Sequence, residues 1–203
     1  MNILVLGAAG KTGREVVAQA LAAGHTVTAF VRDPQKLERN DITVAVGDAR
    51  SVDDLGTALR GQDAVISTLG SGLDAKQKLI ESSTQALLEA MPRADVNRLV
   101  MLSTFAASPT YKARGVMKLA SVAMKGIVAD KTAGETLLKR SDVDWTIVYA
   151  TRLTAETRRG GYSTVEGTLR WPGTISRTDL ADALLSTLSD ATSVRQSRVV
   201  TSR

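Results

Sequence analysis

The sequence predicts an α/β protein built on one doubly wound parallel sheet. Three observations predict it. Short apolar, β-branched runs alternate with helix-spaced segments along the whole chain; the first run ends in a glycine-rich turn that opens a helix; and 203 residues suit one domain but are short for two.

Residues 2–6 form an apolar run ending in glycine, and residues 14–23 carry apolar side chains at helical spacing until Gly24 stops them, which reads as strand, turn, helix. Residues 26–31, 42–46, 64–67 and 99–103 are further apolar or β-branched runs, read as buried strands of the parallel type. Between them, residues 52–59 read as a helix capped by Ser51, and residues 76–91 as a helix ended by Pro92. A helical region over 116–139, a strand over 145–149, a helix over 179–188 and a final strand near Val199 complete the chain. Right-handed crossovers between such strands place helices on both faces and gather ligands at the strands' carboxyl ends.

Composition excludes several function classes. With no cysteine there is no disulfide, thiolate metal site or thiol redox switch, and a single histidine leaves little for zinc, so no metal is expected. No run approaches the length of a membrane span, and the first apolar stretch lacks the basic flank of a secretory leader, so a cytoplasmic protein without a membrane partner is expected. The net charge of +5 is spread along the chain and aromatic residues make up only 3%, which argues against nucleic acid. The excess charge reads as solvated surface that also attracts an anionic cofactor.

The sharpest motif is residues 7–13, Gly-Ala-Ala-Gly-Lys-Thr-Gly. Gly7, Gly10 and Gly13 allow a tight turn and close approach of backbone to a pyrophosphate. The following helix start, with Lys11 and Thr12, offers N–H groups to the phosphates. Because the motif follows a strand and opens a helix, it predicts a bound dinucleotide on a Rossmann-type sheet. The residue after the second strand selects which one: an acid there bonds the ribose hydroxyls of NAD, an arginine the 2′-phosphate of NADP. Arg32 falls first after that strand and Lys36 adds a cation, which favours NADP(H). Asp33 takes the arginine's place if the strand ends one residue later, and otherwise caps the turn before Pro34.

With these residues stand VRDPQKL at 31–37, VGDARSVDDL at 46–55, GQDAVISTLG at 61–70, DWTIV at 144–148 and ISRTDLADALL at 175–185. Together they resemble the atypical short-chain dehydrogenase/reductases, in particular the NmrA-like NAD(P)H-binding group that contains biliverdin-IXβ/flavin reductase. The resemblance runs over nearly the whole chain and implies one NAD(P)-binding domain over residues 1–203. It puts Asp48 beside the adenine, although a turn or helix cap accounts for that residue about as well. It also puts Thr68, Leu69 and Gly70 in a loop bordering the cofactor ribose.

The chain departs from the superfamily at the acid. Typical members reduce carbonyls with a Tyr-x-x-x-Lys pair, in which lysine holds the nicotinamide ribose and lowers the tyrosine pKa. This chain has none: Tyr111, Tyr149 and Tyr162 are followed four residues on by Gly115, Leu153 and Glu166. Aligning the family's lysine and later glutamate on Lys131 and Glu135 puts Ile127 at the tyrosine position. Lys131 is then either the ribose lysine or a solvated helix lysine. Ser103 matches the superfamily's catalytic serine and is expected to donate a hydrogen bond to substrate or nicotinamide.

Residues 151–171 follow a strand's carboxyl end, contain Arg152, Arg158, Arg159 and Tyr162, and are expected to cover the substrate, unless those arginines are simply solvated. Trp145 reads as core and His25 as a turn residue at the far end of the sheet. The resemblance implies an NADPH-dependent reductase, monomeric or dimeric, that passes hydride to a flavin, quinone or similar planar acceptor. The alternative is a non-catalytic NADP(H)-binding redox sensor.

Overall fold

The computed structural model describes residues 1–39, 41–70, 78–110, 124–155, 161–165 and 173–203. Strand β1 (Asn2–Leu6) leads into α1 (Lys11–Ala22), followed by β2 (Thr26–Val31), β3 (Thr43–Val46), α2 (Val52–Leu59), β4 (Ala64–Ser67), α3 (Leu79–Ala90) and β5 (Arg98–Thr104). Helix α4 (Lys125–Lys139), β6 (Asp144–Ala150), β7 (Arg152–Thr154), β8 (Tyr162–Val165), β9 (Thr174–Ser176), α5 (Arg177–Ser189) and β10 (Gln196–Ser202) complete the described elements. The main sheet runs β3-β2-β1-β4-β5-β6-β10-β8, parallel throughout except that β8 pairs antiparallel with β10. Chain direction across the sheet reverses between β1 and β4, the switch point at which an open α/β sheet leaves a crevice.

Alternation along the strands splits the core into two layers. Ile3 and Val5 of β1 face α1 and α5, joined by Val16, Val17 and Ala20 at helical spacing and by Leu180 and Leu184. Leu4 and Leu6 face the other layer with Leu55, Leu87, Leu99, Leu138 and Trp145. Each fully buried aliphatic side chain contributes roughly 1.5–3 kcal/mol, so both faces of the sheet are firmly held. Among the described residues no helix is long and apolar enough to cross a membrane.

Ser51 caps α2, its hydroxyl accepting the Asp54 N–H at 3.2 Å. Helix α3 starts at Leu79, and α4 at Lys125; of the earlier parts of the expected helices, Lys78 and Met124 are non-helical residues just before them, and 76–77 and 116–123 lie outside the described residues. Two expectations need correction. The run at 42–46 is not a buried strand: β3 is the sheet edge, with Val46 60% exposed. Residues 151–171, read from the sequence as a substrate-covering loop, are not all loop, because β7 pairs with β9 and β8 closes the far edge. The β7 and β8 runs are only three and four residues long, too short for period-two alternation to stand out. Arg158 and Arg159 lie outside the described residues.

Candidate functional site

The glycine turn is built by close backbone packing. Gly7 has φ +79°, a left-handed conformation that favours glycine, and a Cβ there would lie 2.9 Å from Thr68 Oγ1. The Gly10 N–H donates to the Gly7 carbonyl at 2.9 Å. A Cβ on Gly13 would stand 2.1 Å from that same oxygen, so only glycine permits α1 to begin this close to the turn. No side chain caps α1, and its first turn carries no acid. The positive end of the helix dipole is therefore not offset locally. Lys11 is exposed there and Thr12 is buried.

Gly7 and Gly10 line a cavity of about 230 Å³ at the switch point, together with Arg32 and Lys36 after β2, Asp48 after β3, and Thr68, Leu69 and Gly70 after β4. Phe30, Ala49 and Leu79 supply apolar wall. Thus eight of the residues singled out along some sixty positions of chain share one hollow, at the carboxyl ends of four strands, whereas Lys11, Thr12 and Gly13 do not line it. Strand β2 ends at Val31, so Arg32 is the first residue beyond it. Asp33 instead accepts the Gln35 N–H at 3.1 Å and pairs with Lys36 at 3.7 Å, which is the turn-capping role. Asp48 takes on a turn role as well, accepting the Arg50 N–H at 3.0 Å while its carboxylate is gripped by the Arg50 guanidinium at 2.6 Å. Those hydrogen bonds, with a smaller contribution from the Arg32 charge, hold the Asp48 carboxyl down at about 2.

Arg14 has no place in the glycine pattern, yet it ties the hollow's two rims together. Its Nε donates to the Ala9 carbonyl at 3.0 Å and its Nη2 to the Lys36 carbonyl at 2.8 Å, and it pairs with Glu38. The sequence signal was its place directly after Gly13, on the first turn of α1.

Lys131 is a buried residue, not a solvated helix lysine. Its ammonium donates to the carbonyls of Leu102 at 2.7 Å and Leu69 at 3.0 Å, joining the end of β5 to the cavity wall after β4. Burial pushes its pKa down to about 8, against the opposing charges of Glu135 and Asp130. An ammonium has three donors, and these bonds use two. The neighbouring Asp130 reaches the start of α3, where its carboxylate accepts the N–H groups of Ile80 at 3.1 Å and Glu81 at 3.0 Å. One turn of α4 therefore holds residues on both sides of 70–78.

Ser103 is buried, and its hydroxyl donates to Glu135 Oε1 at 2.5 Å. The expectation of a hydroxyl free to donate toward the cofactor is corrected: its one proton is directed at Glu135, which leaves its oxygen as an acceptor. The same carboxylate accepts the Tyr149 phenol at Oε2, 2.6 Å away. Burial and the adjoining carboxylate raise the Tyr149 pKa above its ordinary value. Ser103 and Tyr149 are register partners on β5 and β6, so both point at α4. His25 lies at the opposite end, just before β2, with Nδ1 3.4 Å from the terminal ammonium.

A family described as NAD(P)H-binding matches residues 7–191. Among curated relatives, the photosystem II assembly factor Ycf39 of Synechocystis is 27% identical over 155 residues, 73% of this chain and 44% of its own length. The chain spans less than half the length of the first curated relatives it matches. Among solved structures, the oxidoreductase ylbE from Lactococcus lactis superposes with TM-score 0.88 at 21% identity, covering 100% of this chain and 91% of that one. ChuY, an anaerobillin reductase from Escherichia coli O157:H7, superposes with TM-score 0.83 at 21% identity, covering 99% and 97%. At these identities the likeness carries the fold alone.

Proposed function

The chain belongs to the NAD(P)H-binding family, and we propose that it is an NADPH-dependent reductase that passes hydride to a flavin, quinone or similar planar acceptor. The observation that carries the cofactor reading is the sharing of one cavity by the glycine turn, Arg32 and Lys36. A pyrophosphate lies against the N–H groups at the start of α1, and a 2′-phosphate meets Arg32 and Lys36. Asp48 borders the adenine, Thr68, Leu69 and Gly70 border the ribose, and the remaining donor of Lys131 bonds a ribose hydroxyl. When bound, the dinucleotide supplies the hydride.

The acceptor follows from the missing phenol. Hydride attack on a simple ketone develops an alkoxide that needs a positioned acid, worth about 10²–10⁴-fold. By the resemblance to the short-chain reductases, Ile127 falls at the position of that acid. A conjugated ring spreads the incoming charge, so orientation against the nicotinamide provides much of the rate. ChuY, an anaerobillin reductase of comparable fold, supports a reductase reading. We propose that the segment 151–171, which follows β6 in the chain, covers the acceptor.

A second reading, an NADP(H)-binding regulatory protein without turnover, is favoured by Ile127 together with the likeness to the assembly factor Ycf39. NADPH oxidation followed with FMN, a quinone and an aldehyde panel at matched concentrations separates the two. Turnover with FMN or the quinone is expected; faster turnover of aldehydes contradicts the acceptor class, and no turnover favours the regulatory reading.

A further inference from the structure

We infer that Arg14 is a positioning residue for the choice of dinucleotide: its guanidinium holds the turn that carries Lys36 at a fixed place against the glycine turn, and the preference for a 2′-phosphate depends on that hold. The inference rests on the NADPH reading of the cavity. Both sides of the hold are cavity wall. Gly7, Ala9 and Gly10 line it on one side, and Arg32, Asp33 and Lys36 on the other.

Arg14 starts from the first turn of α1, where its backbone N–H donates to the Gly10 carbonyl at 2.9 Å. Its side chain then joins two stretches of chain. Nε donates to the Ala9 carbonyl at 3.0 Å, Nη2 to the Lys36 carbonyl at 2.8 Å, and Nη1 pairs with Glu38. Each guanidinium nitrogen thus serves a different acceptor, which the planar fork of arginine allows and the single nitrogen of lysine does not.

Stability alone does not call for this arrangement. The Glu38 side chain is 73% exposed, and an ion pair so open to water contributes little. The turn at Pro34–Lys36 closes without Arg14, because Asp33 accepts the Gln35 N–H at 3.1 Å and the Leu37 N–H donates to the Pro34 carbonyl at 3.0 Å. Leu37 also packs on the core layer that contains α1. What Arg14 adds is the spacing between this turn and the glycine turn. The Lys36 ammonium is exposed and 3.7 Å from the Asp33 carboxylate, so it can swing to an anion once its backbone is held in place. Arg14 also offsets the charge of Glu38, which stands two residues from Lys36 and would otherwise repel a phosphate. Holding the turn before binding removes an ordering cost that only a 2′-phosphorylated ligand has to meet.

The test compares the full unsubstituted chain with Arg14→Lys, Arg14→Gln and Glu38→Gln. NADPH and NADH are titrated by fluorescence, adenosine 2′,5′-bisphosphate and 5′-AMP by calorimetry, and melting temperatures are recorded. Both Arg14 variants should lose about tenfold in affinity for NADPH and for the bisphosphate, with NADH and AMP changed by no more than about twofold. Glu38→Gln, which keeps both carbonyl bonds, should retain the preference for NADPH. If Arg14→Lys keeps the parent's preference, charge alone suffices and the hold is overturned while the NADPH reading stands. Equal losses for NADPH and NADH that follow the melting temperature overturn it in favour of a structural role, and loss of the preference in Glu38→Gln overturns it as well. A parent chain that binds the two cofactors equally, or neither, overturns the NADPH reading and this inference with it.

Discussion

Lys131 Nζ lies 2.7 Å from the carbonyl oxygen of Leu102, deep under the junction of two adjacent strands. Its second bond, to the Leu69 carbonyl, makes this lysine a brace for the wall of the dinucleotide cavity. Removing it affects both the wall and the proposed ribose contact. Lys131→Met should weaken NADPH binding by roughly tenfold or more, since a hydrogen bond to a charged group is worth about 1.5–3 kcal/mol. Cofactor fluorescence titration measures this, and unchanged affinity removes Lys131 from the site.

The same lysine carries a pH signature. Its folded pKa is depressed to about 8 from an ordinary 10.5, so between those values the unfolded chain holds more protons than the folded one. Its contribution therefore makes the fold more stable as pH rises through that window, and the penalty for burying its charge is fully present below about pH 8. The stability difference between the parent and Lys131→Met should shift in the parent's favour from pH 7.5 to 10, on the order of the window just given. Urea unfolding at a series of pH values checks this; a difference independent of pH contradicts the depressed value.

Asp130 does for α3 what a local cap does for other helices. Position 78, just before α3, is Lys78 in a left-handed conformation, with no side-chain cap, and the Asp130 carboxylate takes the N–H groups of Ile80 and Glu81 instead. Asp130→Ala should cost roughly 1–3 kcal/mol by leaving buried donors unmet, and Asp130→Asn, which keeps one acceptor, should cost less. Chemical denaturation of both variants tests the order, and equal stability to the parent contradicts the cap.

Two glycines give opposite outcomes. Gly13→Ala drives a Cβ against the Gly7 carbonyl, whereas a Cβ at Gly56, inside α2, meets nothing within 4 Å. Gly13→Ala should lose NADPH binding and lower the melting temperature. Gly56→Ala should stabilise by about 0.5–1 kcal/mol through helix propensity alone. Similar effects from both substitutions contradict the close approach at Gly13.

What could be read from the sequence was what short-range chemistry encodes. The glycine spacing, the Ser51 cap, the Asp33 turn and the place of Arg32 just beyond β2 each depend on a few adjacent residues. The exposure of β3 could not be read this way, because Thr-Val-Ala-Val is as apolar as a central strand and only the sheet order makes it an edge. The Asp130 bonds to Ile80 span 50 residues, and Glu135 reaches Ser103 across 32. Such pairings arise from how α4 packs on α3 and β5, which no local pattern records. Glu135 stood out only by its spacing from Lys131, with nothing to indicate that it joins two strands.

Everything proposed for the site rests on a dinucleotide held between the glycine turn and Arg32. The direct measurement is a fluorescence titration of NADPH and NADH against the unsubstituted chain and against Arg32→Asp. The proposed contacts require NADPH to bind roughly ten- to a hundredfold more tightly than NADH, the equivalent of a charged hydrogen bond of about 1.5–3 kcal/mol, and Arg32→Asp to remove most of that difference. Equal affinity of the unsubstituted chain for the two cofactors, or binding of neither, contradicts it.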